Sequence, residues 1–360
     1  MAPLWAFLTG QKRGIQVKKW VLKRRMKGLP KKGDMELKFE TLPELQEGQY
    51  LAKAVYFSVD PTLRLIIDTL ALGSVLPCAQ IAKIRASKNK NYPVGAYVHG
   101  YFGWRTYTID DGCSRENPTY LLPTYLNAEF GEDDPDYTNA NFNRIRASYG
   151  LGILGMPGIA AYFGMMEILH PQEDEVVVVS TAAGAVGSMA TQIAKNILGC
   201  KVIAITGKNS KGDFLLDYYA IDDYINYTTH DVEAKLNILA PEGVDCYFDN
   251  AGGEISNAVI ANMNNFGRIA QCGATSAYCG DRPAKISQWQ IIQKQLTVEG
   301  FHCTRWHDRW FEAMDSMHRW WRGHTLMGAE TSSKGFLNFR EAFRYVFTNS
   351  SLGKVIISRK

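Results

Sequence analysis

The sequence predicts an α/β fold, in which a doubly wound parallel sheet is joined to a β-barrel-type module. Three observations carry that expectation. Residues 176–187, VVVVSTAAGAVG, place four valines ahead of a turn of small residues and a helical pattern. Strand and helix patterns then alternate as far as 303, with strands expected at 201–206, 223–227, 244–249, 266–273 and 296–303. Before this region, from 16 to 109, the runs are strand-like, and no helical pattern separates them.

Four β-branched residues in a row read as a strand covered on both faces. The turn Ala182-Ala183-Gly184-Ala185-Val186-Gly187 opens a helix expected from 185 to about 198. Strand, glycine turn and helix in this order begin a dinucleotide-binding βαβ unit of Rossmann type, with Ala182 at the first glycine of G-x-G-x-x-G. Gly184 lets the backbone approach a pyrophosphate, and Gly187 lets the helix pack on the strand. The helix N-terminus offers free N–H groups to phosphate. Taken alone, the hexapeptide also fits an ordinary tight βα turn.

About 20 residues past such glycines, an NAD site carries an acid for the ribose 2′-OH. Here the second strand ends in Gly207-Lys208-Asn209-Ser210-Lys211, with no Asp or Glu before Asp213. A cationic, acid-free tip suits a 2′-phosphate, so the cofactor is expected to be NADPH. The other reading of Lys208 and Lys211 is a pair of solvated lysines at a helix start. That position disfavours cations unless an anion offsets them.

A length of 360 residues fits two domains, or one domain with a large elaboration. The chain is 46% hydrophobic and 21% charged with a net charge of +4, too small to imply a nucleic-acid partner. The basic groups Lys23-Arg24-Arg25 and Lys31-Lys32 read as solvated surface. No 18-residue apolar run marks a membrane span, and the apolar residues 1–8 lack the basic start of a signal peptide. The seven cysteines, Cys78, Cys113, Cys200, Cys246, Cys272, Cys279 and Cys303, form no C-x-x-C. Neither a zinc lobe nor a disulfide framework is expected, and the protein reads as cytoplasmic and reduced.

In the amino-terminal half, strands are expected at 17–22, 35–39, 50–59, 79–85 and 96–109. Residues 59–64, VDPTLR, read as a turn in which Arg64 holds Asp60 or a phosphate, or in which both merely brace the backbone. Residues 118–143 are polar and read as a long surface loop. Pro157 suits the first turn of a helix expected to reach 169. In the other half, 309–321 forms an amphipathic pattern with Trp310, Met314, Met317 and Trp321 on one face, read as core or subunit packing. A helix at 339–347 and a strand at 354–357 are placed to rejoin the amino-terminal module. Ligands of doubly wound sheets bind outside the carboxyl ends of the strands. This brings Asn250, the stretch 272–278 and residues 301–303 to the cleft.

Longer, ordered motifs carry a resemblance: Val59-Asp60-Pro61 with Arg64, Gly155-Met156-Pro157-Gly158, Ala161-Tyr162-Phe163-Gly164, the glycine turn, 245–253 (DCYFDNAGG), 266–270 (FGRIA), Cys272-Gly273-Ala274 and Leu352-Gly353-Lys354. Over 17–357 the chain resembles the zinc-independent medium-chain dehydrogenase/reductases, and among them the prostaglandin reductase (leukotriene B4 12-hydroxydehydrogenase, alkenal/one oxidoreductase) branch. The resemblance implies a GroES-like catalytic domain at 1–152, an NADP-binding Rossmann domain at 153–328 and a return to the first at 329–360. It implies NADPH-dependent reduction of the α,β double bond of enones and enals, such as 15-oxo-prostaglandins and lipid-derived alkenals, by a homodimer. By position, Gly184, Ala185, Val186 and Gly187 hold the pyrophosphate, and Lys211 and Tyr227 the 2′-phosphate. Asn250, Cys272, Gly273, Ala274 and Tyr278 line the nicotinamide with Phe301, His302 and Cys303. Ser351 stands where the family has a late Asn, with Asn349 two residues earlier. Thr62 replaces a family Tyr after Asp-Pro, and the 118–143 segment is longer than usual.

Reduction of an activated C=C needs a hydride at the β-carbon and a donor for the enolate oxygen. Tyr278 is the candidate donor, since a neutral phenol with a pKa of about 10 keeps its proton at neutral pH. Orienting the ribose, or packing, is its alternative role. His99, His302 and His307 read as structural or pocket-lining. The nearest rival activities are a zinc-free quinone reductase and a non-catalytic NADPH-binding protein.

Overall fold

A computed structural model of the chain describes residues 14–114, 118–126, 145–280 and 285–359. Residues 1–8, and 127–143 of the expected loop, lie outside them.

In the β-rich lobe, β1 (Gln16–Leu22) and β2 (Met35–Thr41) form an antiparallel ribbon. Next come β3 (Tyr50–Ser58), α1 (Leu63–Thr69), β4 (Gln80–Ser87), β5 (Tyr97–Gly100), β6 (Tyr107–Asp110) and β7 (Tyr120–Leu121). β3 organises this lobe. One edge pairs with β4, while the other is shared between β6 at residues 50–53 and a strand from the chain's end at residues 56–58.

Three expectations need correction here. The run 96–109 is two strands, because the chain turns at Gly103 (φ +77°) and drives Trp104 into the core, stacked on Phe57 at 5.0 Å. The turn expected at 59–64 leads straight into α1, which buries Leu63, Arg64 and Ile67 on one face. Part of the expected loop, Tyr120–Leu121, pairs with β5.

The second lobe starts with α2 (Met156–Phe163), which has Pro157 in its first turn and continues in π-helical geometry over Gly164–Leu169. Then β8 (Val176–Ser180), α3 (Gly187–Gln192), β9 (Lys201–Thr206), α4 (Asn209–Tyr219) and β10 (Asp223–Asn226) alternate. α5 (Val232–Leu239), β11 (Val244–Asp249), α6 (Gly253–Ala261), β12 (Met263–Gln271), α7 (Gln288–Gln293) and β13 (Thr297–Gly300) complete the series. The six strands are parallel in the order β10-β9-β8-β11-β12-β13. Chain direction across the sheet reverses between β8 and β11, which opens a crevice at their carboxyl ends.

The valines of β8 explain its central place. Val177 and Val179 pack with Phe163, Ala190 and Ile193 on one face, and Val178 packs with Ile203, Ile225 and Tyr247 on the other. Full burial of each such side chain contributes about 1.5–3 kcal/mol. α8 (Trp310–Arg322) buries Trp310, Met314 and Met317, with Trp321 only half-covered. Finally β14 (Glu330–Lys334), α9 (Phe339–Tyr345) and β15 (Lys354–Ser358) carry the chain back. β15 runs parallel to β14 and antiparallel to β3, giving the sheet order β14-β15-β3-β4-β5-β7.

Candidate active-site cleft

The ends of β8 and β11 are fixed by one buried carboxylate. Asp249 accepts hydrogen bonds from Tyr247 Oη (2.9 Å), Ser180 Oγ (3.2 Å), Ser256 Oγ (2.5 Å) and the N–H groups of Ala251 and Gly252 (2.9 Å each). Five donors offset the cost of burying the charge. Asn250 is held in turn, its N–H on Ser180 Oγ and its Nδ2 on the Ser180 carbonyl, both at 2.9 Å. The backbone N–H groups of Cys272 and Gly273 donate to the Asp249 carbonyl at 2.8 and 3.0 Å, which aligns the end of β12 with them.

The glycine turn lies beside this point. A Cβ on Gly187 would stand 2.4 Å from the Thr181 carbonyl, so only glycine lets α3 start this close to β8. The return segment closes over the turn. Gly353 donates its N–H to the Ala183 carbonyl at 2.8 Å and bridges Gly184 in parallel fashion. Its φ of +62°, with Ala329 O 2.0 Å from any Cβ, requires glycine there too.

At the tip of β9, Lys211 Nζ donates to Asn349 Oδ1 at 2.8 Å. Burial, and then the charge of Lys208, bring the Lys211 pKa down to about 8. Gly207 makes room for this corner, since a Cβ there would meet Asn349 Nδ2 at 1.7 Å and the Tyr227 phenol at 2.8 Å. Among the described residues no carboxylate pairs with Lys211. A cation held below its ordinary pKa beside an amide and a phenol is a donor set that fits a phosphate monoester. Together with the free N–H groups at the start of α3, it fits NADPH.

A single cavity of about 930 Å³ joins these parts to the β-rich lobe. It takes in the turn Gly184, Ala185, Val186 and Gly187, the phosphate corner Lys211, Tyr227 and Asn349, and Ser351 of the return segment. It also reaches Asn250, Cys272, Gly273 and Tyr278, then Phe301, His302 and Cys303. Ala274 differs from expectation. It does not line the cavity but donates its N–H to the Tyr278 phenol at 3.3 Å. The phenol oxygen thus accepts, and among the described residues nothing takes its own hydrogen. Burial raises the Tyr278 pKa and keeps that hydrogen in place. Burial also lifts the thiols of Cys272 and Cys303 to about 12, so both are neutral wall. His302 Nδ1 faces Thr304 Oγ1 at 2.8 Å and accepts the Thr304 N–H.

The turn after β3 departs from the sequence reading. Arg64 does not hold Asp60: it donates to Asp68 Oδ1 (2.8 Å) and to the carbonyls of Met26 (3.2 Å) and Gly28 (3.3 Å). Asp60 instead pairs with Lys354 of β15 and accepts from Ser58 Oγ. Sequence reasoning gave no role to Asn349, Lys354 or Tyr101. The first two sit far along the chain from their partners, and Tyr101 was hidden inside a run read as one strand. Among the described residues, no three His, Cys, Asp or Glu side chains converge as a metal ion requires.

A parallel sheet with a phosphate-accepting turn at its switch point, capped by a β-rich lobe over a shared cleft, defines a two-lobed dinucleotide-dependent oxidoreductase. Residues 18–117 match the family described as N-terminal domain of oxidoreductase, and 185–319 match the zinc-binding dehydrogenase family. The chain is 38% identical over 347 residues to prostaglandin reductase 1 of Mus musculus, covering 95% of this chain and 99% of that protein. It is 30% identical over 361 residues to the 2-alkenal reductase (NADP(+)-dependent) of Nicotiana tabacum, covering 96% and 99%. The crystal structure of CurA from Vibrio vulnificus in complex with NADPH superposes with a TM-score of 0.83 at 28% identity, covering 95% and 99%. The chain belongs to the zinc-independent medium-chain dehydrogenase/reductase family, in its prostaglandin reductase branch.

Proposed function

We propose that this protein reduces the α,β carbon–carbon double bond of enones and enals with NADPH, as a 15-oxoprostaglandin 13-reductase or 2-alkenal reductase does. One observation carries the reading. The Tyr278 phenol, with a free hydrogen, lines the same cavity as the glycine turn and the Lys211 corner, in a chain related along nearly its whole length to prostaglandin reductase 1.

Gly184, its own N–H on the Thr181 carbonyl at 2.9 Å, lets the backbone approach the pyrophosphate, the N–H groups of Ala185, Val186 and Gly187 hold it, and Lys211 with Tyr227 holds the 2′-phosphate. Asn250, Gly273, Ser351 and the Phe301–Cys303 wall seat the nicotinamide end, with Ala274 acting through Tyr278. Bound NADPH supplies a hydride to the substrate β-carbon. Tyr278 donates a hydrogen bond to the carbonyl oxygen, where negative charge builds as the enolate forms. Water then protonates the α-carbon. Cys272, Phe301 and Trp310 give that end of the cavity an apolar wall.

The same proposal includes a catalytic unit at 1–152, an NADP-binding unit at 153–328 and the return at 329–360. It also includes a homodimer, a cytoplasmic location and a role in lipid metabolism. Among the described residues, no helix is long and apolar enough to cross a membrane.

The test is oxidation of NADPH and NADH by the purified protein with a 15-oxo-prostaglandin, 4-hydroxy-2-nonenal and a quinone. Turnover of an enone with NADPH preferred is the expected result. No enone turnover refutes the reading, and a higher kcat/KM for the quinone replaces it with quinone reduction. Sedimentation of the same sample tests the dimer.

A further inference from the structure

Tyr101 stands where the lobes meet and has no part in the reaction described above. It follows β5, and its phenol donates to the thioether sulfur of Met156 on α2 at 3.0 Å. A thioether is a weak acceptor. This O–H is therefore anchored without being satisfied, and a carbonyl oxygen offers it a stronger bond. Tyr101, Met156 and Cys303 line the same cavity. The phenol lies within electrostatic reach of Cys303 and Asp60, and burial raises its pKa, so it keeps its proton.

The neighbouring ring does not compete for this phenol. His99 is buried, packs edge-on to Tyr101 at 6.3 Å and stacks on Tyr120 at 4.7 Å. Burial pushes its imidazole down to about 4, and it donates to the Pro118 carbonyl. Among the described residues its Nδ1 has no partner, so Nε2 carries the donated hydrogen. The ring is neutral, and it braces Tyr101 from the side.

We propose that Tyr101 is a second hydrogen-bond donor to the substrate carbonyl oxygen, acting from the β-rich lobe as Tyr278 acts from the nucleotide lobe. The proposal rests on the enone-reductase reading. On substrate entry the phenol leaves the sulfur for the carbonyl oxygen. The bond strengthens as charge grows there, because hydrogen bonds to ionised acceptors are about twice as strong as neutral ones.

Tyr101→Phe and Met156→Leu, each in the full chain with NADPH, test this, and both changes conserve shape. Tyr101→Phe should lose about 10- to 100-fold in kcat with an enone, up to the cost of removing one donor from an oxyanion site. Its NADPH affinity and melting temperature should match the wild type. Met156→Leu deletes only the resting acceptor and should keep several times the kcat of Tyr101→Phe. Wild-type kcat in Tyr101→Phe overturns the proposal, as does a loss confined to KM or an equal loss in Met156→Leu, which would mark the sulfur contact as structural. A wild type that turns over no enone overturns the enone reading and this proposal with it. An active wild type matched by Tyr101→Phe overturns this proposal alone.

Discussion

Replacing Lys211 by alanine separates the two nicotinamide dinucleotides. Lys211 Nζ donates to Asn349 Oδ1 at 2.8 Å, in a buried corner shared with the charge of Lys208. A hydrogen bond to a charged group contributes about 1.5–3 kcal/mol, which is about 10- to 150-fold in affinity. Lys208 retains part of the positive field, so the lower half of that range is expected for NADPH. NADH has a hydroxyl in place of the phosphate and loses none of this. The pKa of about 8 adds a second arm. The cationic lysine that the phosphate needs is present below pH 8 and lost above it. Wild-type NADPH affinity should therefore fall above pH 8, by at most about tenfold per pH unit, until it approaches that of the Lys211→Ala variant. Neither NADH nor the Lys211→Ala variant should show that slope. Titration of reduced-nucleotide fluorescence on both sides of pH 8 reads all four cases. Equal losses for the two dinucleotides, or an NADPH affinity independent of pH, would refute the phosphate role.

Three further outcomes are expected. Tyr278→Phe should lower kcat by about 10- to 100-fold with NADPH affinity unchanged, and unaltered steady-state kinetics would remove Tyr278 from the reaction. Gly187→Ala brings a Cβ to 2.4 Å from the Thr181 carbonyl and 2.8 Å from Ala182 Cα. The backbone must shift, costing about 1–3 kcal/mol in a denaturant melt and weakening NADPH and NADH alike; a wild-type midpoint would contradict the close approach. Glu330, buried and bonded by Ser148 Oγ at 2.9 Å, is raised from 4.5 to about 7 by burial. Between those values the folded state binds more protons than the unfolded chain, so stability falls as pH rises through this window. Glu330→Gln should therefore gain on the order of 1–3 kcal/mol over the wild type above pH 7 and little near pH 4.5; a gain that does not grow with pH would count against the shift.

Much of the nucleotide lobe was legible because its strands declare themselves. The valines of β8 are buried on both faces, and Lys201–Thr206 and Val244–Asp249 begin and end where their apolar runs do. β12 begins three residues before its expected start, because Phe266 takes a positive φ (65°) inside it and hides the alternation. In the other lobe, α1 carries a short helical signal of its own. Leu63 and Ile67, four residues apart, face inward together, and Arg64 with Asp68 forms an (i, i+4) ion pair. That spacing also announces that Arg64 has a partner other than Asp60. Within the cleft, the glycine turn, Lys211 and Tyr278 could be read from local order. Asn349 and Lys354 could not, because their partners lie in segments far away in sequence and only folding brings them together.

The return strand has a consequence for the order in which the protein can fold. Gly353 closes over the glycine turn, Asn349 reaches Lys211, and β15 completes the edge of β3. All three contacts come from residues 349–358, which follow both lobes in sequence. The nucleotide lobe can gather its own apolar core early, but the β-rich lobe waits for the return segment, whose Phe336, Phe339, Phe343, Val355 and Ile357 share its core with Phe57 and Trp104. One segment thus closes both the core of the first lobe and the cofactor wall of the second, so the two are completed together.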